Sequence, residues 1–329
     1  LLATFEPIFA ASWGIRTADI LTAAFLTLAR AEGANLIWLP ALLTNPAFRR
    51  RVLKKAGKDP IGTDDFWARY DAKKPELQAN EIAPVLNKIR QFILRPSLRA
   101  TLGQSDPRFD LAELFTKRRI VVVNLNKGVL GADAAKLLGS LLIGQLWSLI
   151  LRRASLPNER RHVTPIYIDE AADFLAGIPG DLTDALAQSR SLGVPFTLAN
   201  QYLQQFTPSM RAAVMANTRN KIVWGLGGTD AADIAKTAPG LEAQDFMLLP
   251  TYHAYANLMQ KGASTGWFSM TTAPPPPAKS NASDLYASSQ ERYGVPASQT
   301  DAELVELLHS PGFEDRTPAD EGPIGRSPR

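Results

Sequence analysis

The sequence predicts an α/β fold, a mostly parallel sheet flanked by helices, with an N-terminal all-α module and a disordered C-terminal tail. Three observations predict it. Residues 1–115 lack sustained period-2 alternation, and their apolar residues recur at helical spacing. From about residue 118, β-branched runs alternate with helical segments, the pattern of βαβ units. After residue 272 the chain turns rich in Pro, Ser and acids, a composition poor in the apolar surface that folding needs. The organisation is therefore 1–115, 116–272 and 273–329.

The elements follow in order. "TADILTAAFLTLARAEG" (17–33) has helical spacing and stops at Gly33. "IWLPALLTNPAFRRRVLKKAG" (37–57) breaks at Asn45-Pro46 and continues as a basic helix. "TDDFWARYD" (63–71) offers Thr63 as an N-cap. "IAPVLNKIRQFILRPSLRATLG" (82–103) is a helix pair broken near Pro96. "RRIVVVNLNKG" (118–128) is a continuous β-branched run, the signature of a buried strand. A long apolar helix follows over about 131–153, then the strand "VTPIYID" and the helix "GDLTDALAQSRSLG". The strand "VPFTLAN" comes next, then "TPSMRAAVMAN" with Thr207 at the N-cap and Pro208 at N1. "NKIVWGL" is a strand and "TDAADIAKTA" a helix. Residues 251–272 alternate around Lys-Gly-Ala-Ser and read as a hairpin. Within the tail, "DAELVELLHS" (301–310) is the one segment that predicts a helix, a short docking helix.

Composition narrows the function. Apolar residues make up 45%, enough for a sizeable core, and the absence of cysteine excludes disulfides, thiolate-bound zinc and thiol nucleophiles. Residues 274–329 hold five Lys/Arg and nine Asp/Glu, so a tail of −4 accompanies a body of +8 within a net charge of +4. A basic body points to a polyanionic partner. "LLGSLLIGQLWSLIL" (137–151) is shorter than the ~18–20 apolar residues of a membrane span; it carries Ser140, Gln145 and Ser148 and reads as a helix packed on the sheet. The opening "LLATFEPIF" lacks Met and a signal-peptide layout, which leads us to expect a chain that starts further upstream. His162, His253 and His309 are too scattered for a metal site, and no Ser-His-Asp arrangement emerges.

The chemistry concentrates around "PIYIDEAADF" (165–174). An apolar run ends in Asp169 and Glu170, and the carboxyl edge of a parallel sheet is where ligands bind. Two acids there fit a nucleotide-hydrolysing site, one on the Mg²⁺ shell and one on the attacking water. They also fit a plain helix start with Asp169 as cap. Arg190 ends the next helix, as a complement to the helix dipole or as an arginine finger. "FTLANQYLQQF" ends its strand in Asn200-Gln201, placing an amide beside the two acids.

From "IYIDEAADFLAG" through "DLTDALAQSRSLGVPFTLANQYLQQF" to "VMANTRNKIVWGLGGTDAADIAK", the chain resembles the hexameric DNA-pumping ATPases of the HerA/FtsK class. Within that class it looks most like the conjugative coupling proteins of type IV secretion, the TraG/TraD kind. The resemblance covers roughly 119–270, and 1–115 is similar in position and character to the helical domain these proteins carry. It implies a RecA-like domain that uses ATP and Mg²⁺. Asp169 would be the Walker B acid that holds Mg²⁺ through water, and Glu170 the catalytic base. Arg190 would be a finger acting on a neighbouring subunit, and Gln201 the γ-phosphate sensor. Asn217, Thr218 and Arg219 would reach the subunit interface. It further implies a hexamer that moves DNA without sequence preference, with relaxosome and secretion-channel partners. The expected location is the cytoplasmic face of a bacterial inner membrane, the fragment itself being soluble and held there only by an anchor upstream.

One departure is large. No Gly-x-x-x-x-Gly-Lys-Ser/Thr occurs: "KKAGKDP" and "NKGVLGADAAK" both fail the pattern. The fragment alone is therefore expected to be inactive, with the P-loop upstream. "FRRRVLKK" (48–55) clusters Arg49, Arg50, Arg51, Lys54 and Lys55 and is the candidate DNA-tracking surface. "KRR" (117–119) and "ERRH" (159–162) read as structural or interfacial. The alternatives are a HerA-like translocase acting on DNA ends and a non-catalytic DNA- or relaxosome-binding adaptor.

Overall fold

The structure, a computed structural model, describes residues 2–9 and 13–309. These form two compact units. Of the described residues, one comprises 9, 13–109 and 288–309; the other comprises 3–8 with 110–287.

In chain order, α1 (Leu2–Ile8) comes first and is followed by the helical unit. That unit holds α2 (Ile15–Arg30), α3 (Leu39–Thr44), α4 (Pro46–Ala56), α5 (Thr63–Asp71), α6 (Pro75–Ile93) and α7 (Pro96–Leu102). Their starts have local causes. The Asn45 side chain accepts from Phe48 N–H while Pro46 occupies the first turn, so α4 begins where α3 ends. At α5 the cap differs from expectation: Thr63 is the first helical residue, and Asp59 accepts from the Gly62 and Thr63 N–H groups. The core gathers Leu21, Leu39, Leu42, Phe48, Trp67 and Ile89. Two buried side chains of this core are paired across it: Trp67 Nε1 donates to Thr27 Oγ1 at 2.8 Å and Tyr70 OH to the Leu43 carbonyl at 2.9 Å.

After the helical unit the other unit, which includes residues 3–8 of α1, continues with α8 (Glu113–Thr116), α9 (Lys127–Leu130) and α10 (Ala132–Arg152). Then come β1 (Ile166–Ile168), α11 (Leu182–Ser191), β2 (Phe196–Leu198), α12 (Pro208–Asn217), β3 (Lys221–Val223), α13 (Gly228–Ala235) and α14 (Ala243–Met247). A hairpin of β4 (His253–Gln260) and β5 (Ala263–Thr271) follows. β1 and β2 pair in parallel, with Ile166 opposite Phe196 and Ile168 opposite Leu198. β3 pairs antiparallel with β4, so the parallel character resides in β1 and β2. The hairpin turns at Lys261 and Gly262, both at positive φ, as a tight two-residue turn requires.

The strand expected over 118–128 is not formed. Residues 118–126 belong to no regular element and have no ladder partner among the described residues, and α9 starts at Lys127. Ile120 and Val122 are 95% and 89% exposed. A β-branched run supplies strand propensity, but a strand exists only when a neighbour accepts its hydrogen bonds. By length and composition α10 is the one described helix apolar enough to cross a membrane. More than half of its apolar window is buried, with Leu137, Ile143, Leu146, Trp147 and Ile150 in the core. Its contact with the turn at 175–177 is very close: a Cβ on Gly177 would sit 2.1 Å from the Ser140 carbonyl oxygen.

Two helices stand in the described part of the tail, α15 (Ala282–Tyr293) and α16 (Ala297–His309). The predicted docking helix at 301–310 thus begins four residues earlier, and residues 310–329 lie outside the described range.

Candidate functional site

Parallel pairing of β1 and β2 brings their carboxyl ends side by side. Ala199 N–H donates to the Ile168 carbonyl at 2.9 Å and Ala171 N–H to the Ala199 carbonyl at 3.1 Å, which locks the two exits together. Asp169 and Glu170 leave β1 there, and Asn200 and Gln201 leave β2. Glu170 adopts a left-handed backbone, φ 50° and ψ 47°. That conformation costs a non-glycine residue about 1–2 kcal/mol, and its cause is visible in what the side chain touches.

Glu170 is held at both oxygens. Gln201 Nε2 donates to Oε1, and Gln205 Nε2 donates to Oε2 at 3.3 Å. Gln205 is the centre of the network: its Oε1 accepts from Asn200 Nδ2 at 2.7 Å and from Tyr202 N–H at 3.4 Å. Asn200 in turn accepts from Ala172 N–H at 3.1 Å, so the two strand exits are tied twice. The short 3₁₀ turn Leu203–Gln205 returns Gln205 toward Glu170, and it is anchored by Leu203 N–H donating at 2.6 Å to buried Asp230 on α13.

Asp169 is exposed, and one of its oxygens accepts from Glu170 N–H at 3.0 Å. Lys127 pairs with Asp173 close by. The hydrogen bond to Asp173 raises the Lys127 pKa above its ordinary value, and the charges of Asp173, Glu170 and Asp169 add to the rise. Among the described residues no three His, Asp or Glu side chains gather into a metal-binding cage. A single exposed carboxylate is nevertheless the donor set that Mg²⁺ uses, since that ion keeps most of its waters and takes one or two acids plus phosphate oxygens. Asp169 fits it.

Arg190 is exposed at the end of α11 and lines a cleft that also contains Leu198, Gln201, Asn217, Arg219 and Lys221. No hydrogen bond or ion pair joins the Arg190 side chain to Glu170 within this chain, among the described residues. Lys221 donates at 2.7 Å to the Thr218 carbonyl, and burial lowers its pKa. Asn217 and Thr218 turn back onto their own helix, donating to the Ala213 and Val214 carbonyls, while Arg219 is exposed.

The chain is similar to the bacterial conjugative coupling protein TrwB. The unbound TrwBdeltaN70 form is 16% identical, with 75% of this chain and 67% of that one covered at a TM-score of 0.47. The form of plasmid coupling protein TrwB with the non-hydrolysable ATP analogue ADPNP is 17% identical, covers 78% and 68%, and has a TM-score of 0.46. The form with ADP and Mg²⁺ is 14% identical, covers 80% and 70%, and has a TM-score of 0.48. No family model and no curated protein matches the sequence. The chain's own fold is mixed α/β, with the parallel pair β1 and β2 accompanied by helices.

The structure corrects the DNA-tracking cluster on α4. Arg49 is 1% exposed and cannot meet a phosphate. Its guanidinium donates to the Leu42 and Leu43 carbonyls at 3.0 and 3.2 Å, pairs with Asp71, and lies over the Trp67 and Tyr70 rings. Arg50, Lys54 and Lys55 are exposed, whereas Arg51 is partly covered. Of the basic pair before β1, Arg161 is structural: it donates to the Leu156, Ser191 and Ala154 carbonyls.

Sequence reasoning missed Gln205 and Lys127. Gln205 lies beyond the strand end, and only the 3₁₀ turn brings it back. Lys127 sits between Asn126 and Gly128 in a stretch whose spacing fits no phosphate loop, and only its ion pair with Asp173 in the fold brings it to the two acids.

Proposed function

We propose that this chain is part of an ATP-driven DNA translocase that serves as the coupling protein of conjugative type IV secretion. The observation that carries it is the Glu170–Gln201 hydrogen bond at the adjoining exits of two parallel strands. A carboxylate and an amide in contact at a sheet's ligand-binding edge can position one water and sense one phosphate.

Asp169 would hold Mg²⁺ through water. The ion, when bound, would neutralise charge on the phosphate oxygens. Glu170 would orient the attacking water and accept its proton. Gln201 would serve as sensor, because a γ-phosphate oxygen competes with Glu170 for the same amide. Gln205 would keep the second Glu170 oxygen in place meanwhile. Lys127 offsets part of the repulsion among Asp169, Glu170 and Asp173. Arg190, exposed and without a partner on Glu170 in its own chain, suits a finger directed at a neighbouring subunit's nucleotide in a ring of six. Arg50, Lys54 and Lys55 would track DNA phosphates without sequence preference. The working partners would be relaxosome and secretion-channel proteins at the cytoplasmic face of a bacterial inner membrane.

Hydrolysis needs a phosphate cradle, and these 329 residues hold no Gly-x-x-x-x-Gly-Lys-Ser/Thr. That one observation favours a second role, a non-catalytic DNA-binding adaptor. DNA-stimulated ATP hydrolysis by the protein together with its phosphate-binding segment decides between them. Glu170→Gln is expected to bind ATP and to turn over about 10²–10⁴ times more slowly. Arg190→Ala is expected to lose about 10³-fold. Wild-type rates in both variants contradict the assignment. Absence of hydrolysis in every form, with DNA binding intact, leaves the adaptor.

A further inference from the structure

The helical unit contains a segment from far along the chain. Five contacts fasten 293–309 to it. Arg108 donates to the Gly294 carbonyl at 3.0 Å, and Phe109 meets Tyr293 edge-on with centroids 5.4 Å apart. Thr300 is buried against Gly103, where a Cβ would approach the Thr300 methyl to 3.1 Å. Arg99 grips Asp301 with two parallel bonds, Nε to Oδ1 at 2.6 Å and Nη2 to Oδ2 at 2.8 Å. Arg51 donates to the Leu307 carbonyl at 2.7 Å.

The last two contacts share a logic. A helix leaves its final carbonyls without intrahelical partners and carries a partial negative charge at that end. Leu307 lies in the last turn of α16, so Arg51 satisfies an orphan acceptor and meets the negative end of the dipole. The Asp301 carboxylate offers Arg99 two oxygens for a bidentate pair, as a phosphate group also can. Thr300, Leu304, Leu307 and Leu308 form the less exposed face of α16, while Glu303 and Glu306 are exposed. An acidic amphipathic helix therefore lies on the cations of α4 and α7 as a polyanion would.

We propose that the α4–α7 face is a DNA-binding surface that α16 holds shut, competing with the phosphate backbone for Arg51 and Arg99. It rests on the DNA-tracking role given above to α4. With α16 docked, DNA meets Arg50, Lys54 and Lys55 beside the exposed acids of the strap. With α16 released, two further cations join the surface and three carboxylates leave it.

The test uses the full chain and a labelled 20-base-pair duplex. Leu304→Asp with Leu308→Asp breaks the apolar face of α16 and makes the protein more negative, so charge alone predicts weaker binding. Competition predicts the reverse: Kd falls about tenfold at low salt, and the slope of log K against log salt steepens by about two. Adding Arg51→Gln and Arg99→Gln to that variant should remove the gain. In the wild type, saturating DNA should raise hydrogen exchange in 297–309. Equal or weaker binding by the undocked variant, or a strap still protected on saturated protein, overturns the proposal while leaving the DNA-tracking role intact. No binding by any form overturns both.

Discussion

At the residue scale, a charge is defined by what surrounds it. Arg49 and Arg50 are neighbours in one basic run, yet one is buried among aromatic rings and carbonyls and the other is exposed. The side chains that α4 buries, Phe48, Arg49 and Val52, form one stripe, and Arg49 falls within it. The run of cations was legible in sequence; the stripe's exact edge was not, because Asp71 and the ends of α3 come from other segments. Arg49→Ala should destabilise the helical unit by about 2–3 kcal/mol through lost packing and orphaned carbonyls. It should leave DNA affinity almost unchanged, whereas Arg50→Ala with Lys54→Ala should weaken it. Urea unfolding and DNA anisotropy measure the two effects, and a large affinity loss from Arg49→Ala with unchanged stability would contradict this placement. The same lesson holds at Glu170. Asp169, Glu170 and Gln201 were readable because a strand ending in polar residues projects them at a sheet edge, but Gln205 required the 3₁₀ turn and its Asp230 anchor.

At the element scale, local signals succeeded where the element closes its own hydrogen bonds. Helix starts at Pro46 and Pro208 and the Lys261-Gly262 turn follow from short-range chemistry. The run at 119–125 is different, since strand pairing is a property of two segments. For α16 the sequence showed a helix and its acids, and the structure supplies the receptor. Arg99 holds the Asp301 carboxyl below the usual carboxylate range through hydrogen bonding and charge. A depressed carboxyl contributes docking stability above its unfolded pKa, about 3.9, and loses it as pH falls through the lower folded value. NMR signals of α16 should therefore stay at docked positions at neutral pH and move toward undocked ones below about pH 4. Asp301→Asn should abolish that acid step. Docking unchanged to pH 3 in the wild type would show that the apolar face alone holds the strap.

At the scale of the whole molecule, the proposed motor is an assembly property. One chain places Asp169, Glu170 and Gln201 together, and among the described residues its Arg190 makes no hydrogen bond or ion pair with Glu170. A single subunit would thus present an acid site on one side and a finger for the next subunit's site. Charge is divided as well, between a basic body and an acidic tail whose α16 already lies on cations. The most direct measurement mixes two inactive variants, Glu170→Gln and Arg190→Ala, in the protein that carries its phosphate-binding segment. In mixed rings some interfaces join an intact Glu170 to an intact Arg190 from the neighbouring subunit. The account predicts that DNA-stimulated ATP hydrolysis of the mixture exceeds that of either variant alone. A mixture that gives only the average of the two would contradict it.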